Sequence, residues 1–276
     1  MYPYLVRLGS LSIPAYPVLY GLGITLGFAV LLLLAVREGI DVRKLVHLIL
    51  VITFSCILGG RFFYVLHHTS EFTDNWEKSF RLSYGGQVLY GGLLVGILSV
   101  FIFCKLTKLP LKRIFDLMAI ATPAGLALGR WACFCRGCCY GRVTDIWWAV
   151  KFPKHIDISG QVVGSPPFLR HLDQALINAN ASHSLSVHPS QIYSSLLSVT
   201  VFIIMFWFWK RGFVRGRLVF VYLILYAMSR FIVEFTRDNQ MAFAGLTVAQ
   251  VLSIVIGLGS ACGLLLCHFR KSIFCS

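Results

Sequence analysis

The stretch "GRWACFCRGCCYGR", residues 129–142, places three arginines and four cysteines at the end of an otherwise apolar run. Two more arginines sit in equally apolar surroundings, Arg61 in "ILGGRFFYVL" and Arg230 in "YAMSRFIVEFTRDN". An ionisable side chain inside a bilayer-crossing run costs about 2.5–3.5 kcal/mol on insertion scales, so each such position marks a functional site by default. A guanidinium presents a planar fork of paired donors that suits a phosphate group. Arg61, Arg130 and Arg230 are therefore read as a set that binds a shared anionic ligand. The glycines before Arg61 and Arg130 allow close helix approach or a local break, which turns the guanidinium into a cavity and away from lipid.

Plainer readings stand beside this one. Arg230 and Glu234 are four residues apart and would pair on one helix face. Arg61, near the end of its run, would snorkel to the interface. Tyr20 opens the first apolar run, Tyr90 precedes Gly91 and Gly92 in "QVLYGGLLVG", and Tyr226 lies four residues before Arg230. Taken singly, each is an interface-belt or packing tyrosine. In "VHPSQIYSS", Pro189 suits a first helical turn and puts His188 and Gln191 close to one face. His188 alone reads as a structural residue at a helix start.

Cys133, Cys135, Cys138 and Cys139 form C-x-C-x2-C-C. Zinc ligands usually come as two separated knuckles and adjacent cysteines chelate one ion poorly, so no metal is assigned. A disulfide fits if this end faces an oxidising compartment. The nearby arginines would also lower a thiol pKa, which makes Cys138 or Cys139 a candidate thiolate. Cys56, Cys104, Cys262 and Cys267 read as small apolar packing residues.

The elements that must position these groups are membrane helices. The chain is 57% hydrophobic and 13% charged, with a mean hydropathy of +0.76, far from the balance of a soluble domain. Apolar runs long enough to cross a bilayer as helix occur at about 17–36, 45–66, 88–104, 114–134, 190–209, 218–236 and 243–268. The expected fold class is all-α, a polytopic membrane protein of about seven spans in a single domain, with a small external head inserted at about 140–187. The first run lacks a basic flank and a small-residue cleavage site, so it reads as a retained helix. Within the head, a short strand is expected around Trp147 to Phe152, and Pro166 and Pro167 start a short amphipathic helix using Leu169, Leu172 and Leu176.

The net charge of +14 does not point to nucleic acid, because Lys and Arg collect in alternate connections: Arg37, Arg43 and Lys44; Lys105, Lys108, Lys112 and Arg113; Lys210, Arg211, Arg215 and Arg217; Arg270 and Lys271. By the positive-inside rule these are cytoplasmic ends. The N-terminus is then outside and the C-terminus inside. The connection at 67–86, with Glu71, Asp74 and Glu77, faces out.

At these residues the chain resembles the bacterial prolipoprotein diacylglyceryl transferase family over nearly its whole length. "LYGLGITLGF" is similar to the family's Tyr-Gly opening, "GGRFFYVL" to its Gly-Gly-Arg segment and "LYGGLLVG" to its Gly-Gly-Leu segment; "GRWACFCRGCCYGRVTD", "HPSQIY" and "YAMSRFIVEFTRD" follow in the family's order. The resemblance implies an inner-membrane enzyme that moves the diacylglyceryl group of phosphatidylglycerol to the thiol of a lipobox cysteine in a prolipoprotein. Glycerol phosphate is the other product, and no cofactor is implied. By position, Arg130 and Arg230 would be the essential arginines, with Tyr90 and Glu234 also placed among catalytic residues. Tyr20, Arg61, Gly91, Gly92, Gly141, His188, Gln191, Tyr226 and Arg237 would bind substrate. The implied partners are phosphatidylglycerol, the lipobox peptide and membrane lipids, not nucleic acid.

The chain departs from the family in three places. Tyr90 stands where the family usually has His before Gly-Gly-Leu, Cys133 and Cys138 stand where Asn and Glu are expected, and Ser194 follows Tyr193 where an acidic residue is common. The phosphate machinery is kept, and for the acceptor three readings stay open: the histidine is not the family's base, or Tyr90, a cysteine or Glu234 takes its place, or the acceptor differs. Two other readings follow: a family paralogue with the same donor and another acceptor, or a non-enzymatic anion or lipid transporter. Against the transporter, no internal repeat is evident.

Overall fold

The structure, a computed structural model, describes residues 4–8, 11–69, 72, 77–80, 86–154, 164–212, 216–239, 241–243 and 245–273. Glu71 and Asp74 lie outside them, as do residues 155–163 of the expected head. In chain order the elements are β1 (Tyr4–Leu8), β2 (Leu11–Pro14), α1 (Ala15–Arg37), α2 (Val42–His67), α3 (Glu77–Phe80), α4 (Leu89–Thr107), α5 (Leu111–Arg136), α6 (Pro166–Asp173), α7 (Ser190–Lys210), α8 (Leu218–Glu234), β3 (Met241–Phe243), β4 (Leu246–Thr247) and α9 (Val248–Ile273). β1 pairs with β2 and β3 with β4, both antiparallel.

Six helices, α1, α2, α4, α5, α7 and α9, are long and apolar enough to cross a membrane. The other expected span, 218–236, forms α8, whose 17 residues reach about 25 Å at the helical rise. The last helix begins later than the apolar run at 243, because β3 and β4 occupy its first residues. Large apolar side chains lie on the outside of these helices: Leu33, Phe54, Leu58, Ile203 and Leu258 are all at least 60% exposed. Water would oppose such a surface, and lipid does not. The protein is a multi-pass membrane protein.

The chain forms two compact units, residues 1–30 with 118–276, and residues 31–117. In the 31–117 unit, α2 and α4 touch along glycines. A Cβ on Gly91 would stand 2.5 Å from the Phe63 Cβ, one on Gly92 2.8 Å from the Cys56 carbonyl, and one on Gly59 2.8 Å from the Gly91 carbonyl. Lipid tails give no hydrophobic drive for helices to associate, so close backbone packing through small residues does that work. Asp41 caps α2 by accepting from the Arg43 and Lys44 amides. Close to this cap in the chain, Glu38 pairs with Arg113 Nε and Nη2, and Arg113 lies 3.6 Å from the buried Asp116.

In the larger unit, Gly23 of α1 and Gly125 of α5 face each other, each Cβ position 2.8 Å from the other's carbonyl. α9 starts with a reciprocal cap. The Gln250 amide donates to Thr247 Oγ1 at 3.3 Å, and Gln250 Oε1 accepts from the Thr247 amide at 3.0 Å.

The expected helix at Pro166 is present as α6, but it buries Pro167, Phe168 and His171, while Leu169 and Leu176 are exposed. The strand expected near Trp147 to Phe152 is reduced to isolated bridges, Val150 with Val187 and Pro153 with His183. Phe152 is fully buried, and the Phe152 amide and carbonyl are taken by the Ser184 hydroxyl and amide. These local contacts replace a ladder.

Candidate active site

In the larger unit, α5, α7 and α8 enclose a crevice of about 30 Å³ lined by Arg130, Ser194, Ser198, Tyr226, Ser229 and Arg230. That is room for a water or two. α5 brings Arg130 there nearly two turns before its end, and α8 carries Tyr226 and Arg230 on one face because they are four residues apart.

The two arginines differ in their neighbours. Arg230 Nη1 lies 2.8 Å from Glu234 Oε2. Glu234 is buried, and its Oε1 accepts from Asn239 Nδ2 at 2.6 Å and Thr247 Oγ1 at 2.9 Å. The plainer reading of the Arg230 and Glu234 pair is thus correct as geometry, and Glu234 holds Arg230 in place. Arg130 makes no hydrogen bond or ion pair among the described residues, so its fork of donors faces the crevice uncommitted. Sequence reasoning missed the serines as a group. Ser194 and Ser198 share a face of α7, and with Ser229 they donate to carbonyls four residues earlier, which leaves hydroxyl lone pairs at the crevice.

The loop after α5 meets the start of α7 and the residues that follow α8. Gly141 lies at the crossing. Its amide donates to the His188 carbonyl at 2.9 Å, it bridges Arg237, and a Cβ there would stand 2.4 Å from the Thr236 carbonyl and 2.5 Å from Ser190 Oγ. The structure gives Gly141 this close-packing role. Gly91 and Gly92 have the same kind of role in the other unit. His188 Nδ1 is 3.3 Å from Tyr193 Oη, which accepts from Trp148 Nε1 at 2.5 Å. Burial first, then Arg142, holds His188 below its ordinary pKa. Tyr20 stacks on Tyr16 at 5.7 Å and passes beside Gly129, while Arg136 lies over the Tyr16 ring at 4.9 Å.

The cysteines come together in a way their spacing hides. α5 ends at Arg136, and Gly137 (φ 78°) and Cys139 (φ 60°) are both left-handed. The chain turns back on itself, so the sulfurs of Cys133, Cys138 and Cys139 all lie within 4.8 Å of one another. Cys135, two residues from Cys133 on the helix, points elsewhere. All eight described cysteines are free thiols, so the disulfide alternative is not formed. Of the two candidate thiolates, hydrogen bonds from Cys133 and Cys138, then the charges of Arg237 and Arg130, hold Cys139 well below the usual thiol range. Cys138 is pushed up by its hydrogen bonds with Cys133 and Cys139. Gln191, fully buried, donates from Nε2 to the Cys138 carbonyl at 2.8 Å.

Arg61 and Tyr90 belong to the 31–117 unit. Arg61 is buried; its Nε donates to the Ser79 carbonyl at 2.8 Å and its Nη1 approaches the Gly86 carbonyl at 3.4 Å. It also lies 5.4 Å and 5.6 Å from the Phe72 and Tyr64 ring centres. The plainer alternative of a snorkelling Arg61 does not hold, since its guanidinium is held inside by backbone carbonyls. Tyr90, by contrast, is exposed.

Comparison with known proteins agrees with the resemblance. The family model described as prolipoprotein diacylglyceryl transferase matches residues 3–266. A phosphatidylglycerol–prolipoprotein diacylglyceryl transferase of Bordetella bronchiseptica is 31% identical over 272 residues, 94% of this chain and 92% of the relative. That of Clostridium tetani is 28% identical over 262 residues, 94% and 96% of the two chains, and that of Trichormus variabilis 28% over 276 residues, 98% and 90%.

Proposed function

Because the chain belongs to the prolipoprotein diacylglyceryl transferase family, we propose that it transfers the diacylglyceryl group of phosphatidylglycerol to the thiol of a lipobox cysteine in a prolipoprotein, releasing glycerol phosphate. The observation that carries the chemistry is the uncommitted Arg130 guanidinium lining one crevice with Arg230 and Tyr226. The acceptor sulfur attacks the glyceryl carbon, and the bond from that carbon to the phosphate oxygen breaks. Negative charge then grows on the departing phosphate, where preorganised donors in a water-poor site lower the barrier most. Arg130 and Arg230 supply those donors, with Glu234 fixing the Arg230 fork and Tyr226 and the serine hydroxyls completing the lining. Side-chain rotation must widen the crevice to admit a phosphate.

The charge distribution supports an outside N-terminus, a cytoplasmic C-terminus and a site toward the outer leaflet. It also supports lipid and peptide, not nucleic acid, as partners. The test is transfer of labelled diacylglyceryl from phosphatidylglycerol to a lipobox peptide, beside the same peptide with its cysteine replaced by serine. Cysteine-dependent labelling is expected. Release of glycerol phosphate with no labelled peptide would instead favour a family paralogue with another acceptor, the reading that Tyr90 motivates.

A further inference from the structure

Transfer to a thiol needs the acceptor as thiolate, and a cysteine with a pKa near 8.5 is only a few per cent ionised at neutral pH. Of the residues that would supply a base, Tyr90 is exposed in the 31–117 unit. Glu234 is closed in by Arg230, Asn239 and Thr247.

The thiol cluster offers another route. Resting on the transferase reading above, we propose that Cys133, Cys138 and Cys139 form a three-thiolate zinc site whose open fourth position takes the acceptor thiol and presents it as a thiolate to the glyceryl carbon.

Adjacent cysteines chelate one ion poorly on a regular backbone, but Cys139 is left-handed (φ 60°) and the three sulfurs converge, so geometry carries the first half. At a zinc–sulfur distance of about 2.3 Å, tetrahedral ligands lie about 3.8 Å apart, and the three sulfurs already lie within 4.8 Å of one another. Thiolates select d10 ions such as zinc. No fourth His, Cys, Asp or Glu joins the group among the described residues. Structural zinc sites are closed by four protein ligands, whereas three ligands with an open position are the pattern of catalytic ones.

The surroundings carry the second half. Three thiolates on a divalent ion leave one negative charge, and a fourth thiolate leaves two. Arg130 and Arg237 are the cations whose charges reach this cluster, enough to balance the loaded site. Arg237 Nε is a buried donor with no partner, and Gln191 Nε2 donates to the Cys138 carbonyl at 2.8 Å, a contact that fixes the backbone of one ligand from behind. Arg130 is also shared with the crevice, so nucleophile and leaving phosphate would flank the same guanidinium.

The step balances. The acceptor thiol binds zinc and releases one proton to water. A sulfur lone pair forms the carbon–sulfur bond, and the electron pair of the carbon–oxygen bond leaves with glycerol phosphate. The thioether product is neutral and a poor ligand, so it departs and restores the three-thiolate ion.

The experiment uses the full-length reduced protein in detergent, titrated with zinc and with cobalt(II) as a spectroscopic stand-in. About one metal per chain is expected, with sulfur-to-cobalt charge transfer and a tetrahedral ligand-field band. That band should shift with the lipobox peptide and not with its serine version. Cys133→Ser, Cys138→Ser and Cys139→Ser should each weaken binding about tenfold or more, whereas Cys135→Ser and Cys262→Ser should bind as the native protein does. Chelation should abolish transfer and zinc restore it. Full transfer by metal-free protein would overturn the inference while leaving the transferase reading intact. So would a Cys138–Cys139 disulfide in the active protein, or a folded native chain with no cobalt–thiolate spectrum. A peptide-responsive cobalt site without any transfer from phosphatidylglycerol would leave the metal site standing and sink the donor reading.

Discussion

Arg61 and Arg130 look alike in sequence, each a lone cation after glycine in an apolar helix, yet the structure treats them oppositely. In the 31–117 unit, Arg61 is enclosed and donates to the Ser79 and Gly86 carbonyls, so it pins the connection between α2 and α4. In the larger unit, Arg130 keeps its donors free at a crevice that also holds Arg230. A buried cation whose hydrogen bonds are satisfied by its own chain contributes to stability. One left unsatisfied beside a second cation is poised for an anion from outside. Arg230 stands between the two cases, because Glu234 fixes it without closing the crevice.

Four substitutions would break or sharpen this contrast. The largest combined effect is expected for Arg230→Ala, which removes a donor from the crevice and leaves the Glu234 carboxylate buried and unpaired. Removing one partner of such a pair costs about 3–5 kcal/mol, so both the thermal midpoint in detergent and the transfer rate should fall. Adding Glu234→Gln should recover the midpoint and not the rate. Arg130→Ala should behave more cleanly, with transfer lowered about 10²–10³-fold at a native midpoint; a fall in the midpoint as large as that of Arg230→Ala would end the distinction drawn between them.

Arg61→Ala should act chiefly on stability, by about 1.5–3 kcal/mol for lost charged hydrogen bonds, read from denaturation in mixed micelles. If transfer at matched folded protein drops as far as in Arg130→Ala, Arg61 belongs with the phosphate-binding groups after all. The smallest effect is expected for Thr247→Ala. It removes the α9 cap and one of the two donors to Glu234 Oε1, which should lower stability by about 1 kcal/mol and loosen Arg230 enough to slow transfer slightly.

Much of the fold was legible because the bilayer simplifies the code. Runs of apolar residues near twenty long locate α1, α2, α4, α5 and α7 within a few residues, since no other structure satisfies the backbone in lipid. The start of α9 was misplaced, because a two-stranded turn at β3 and β4 is built from equally apolar residues. Of the site, Arg130 and Arg230 were legible from cost alone, and Tyr226 from its place four residues before Arg230 and from the resemblance. Gly91, Gly92 and Gly141 were grouped with substrate-binding residues by motif, whereas their Cβ positions are filled by neighbouring atoms. A glycine that admits a ligand and one that admits another helix look the same in a sequence.

What the sequence determined by itself is the membrane architecture, the family and the expensive arginines, because these follow from hydropathy, charge and short motifs read along the chain. Which arginine is free, which oxygen holds Arg230, and that Cys133 meets Cys138 and Cys139 while Cys135 does not, were decided only in three dimensions. The reason is physical. Cost is a property of a residue and its solvent, but commitment depends on which donors and acceptors a fold brings within three or four ångströms, and a left-handed turn at Gly137 and Cys139 can undo any inference drawn from linear spacing.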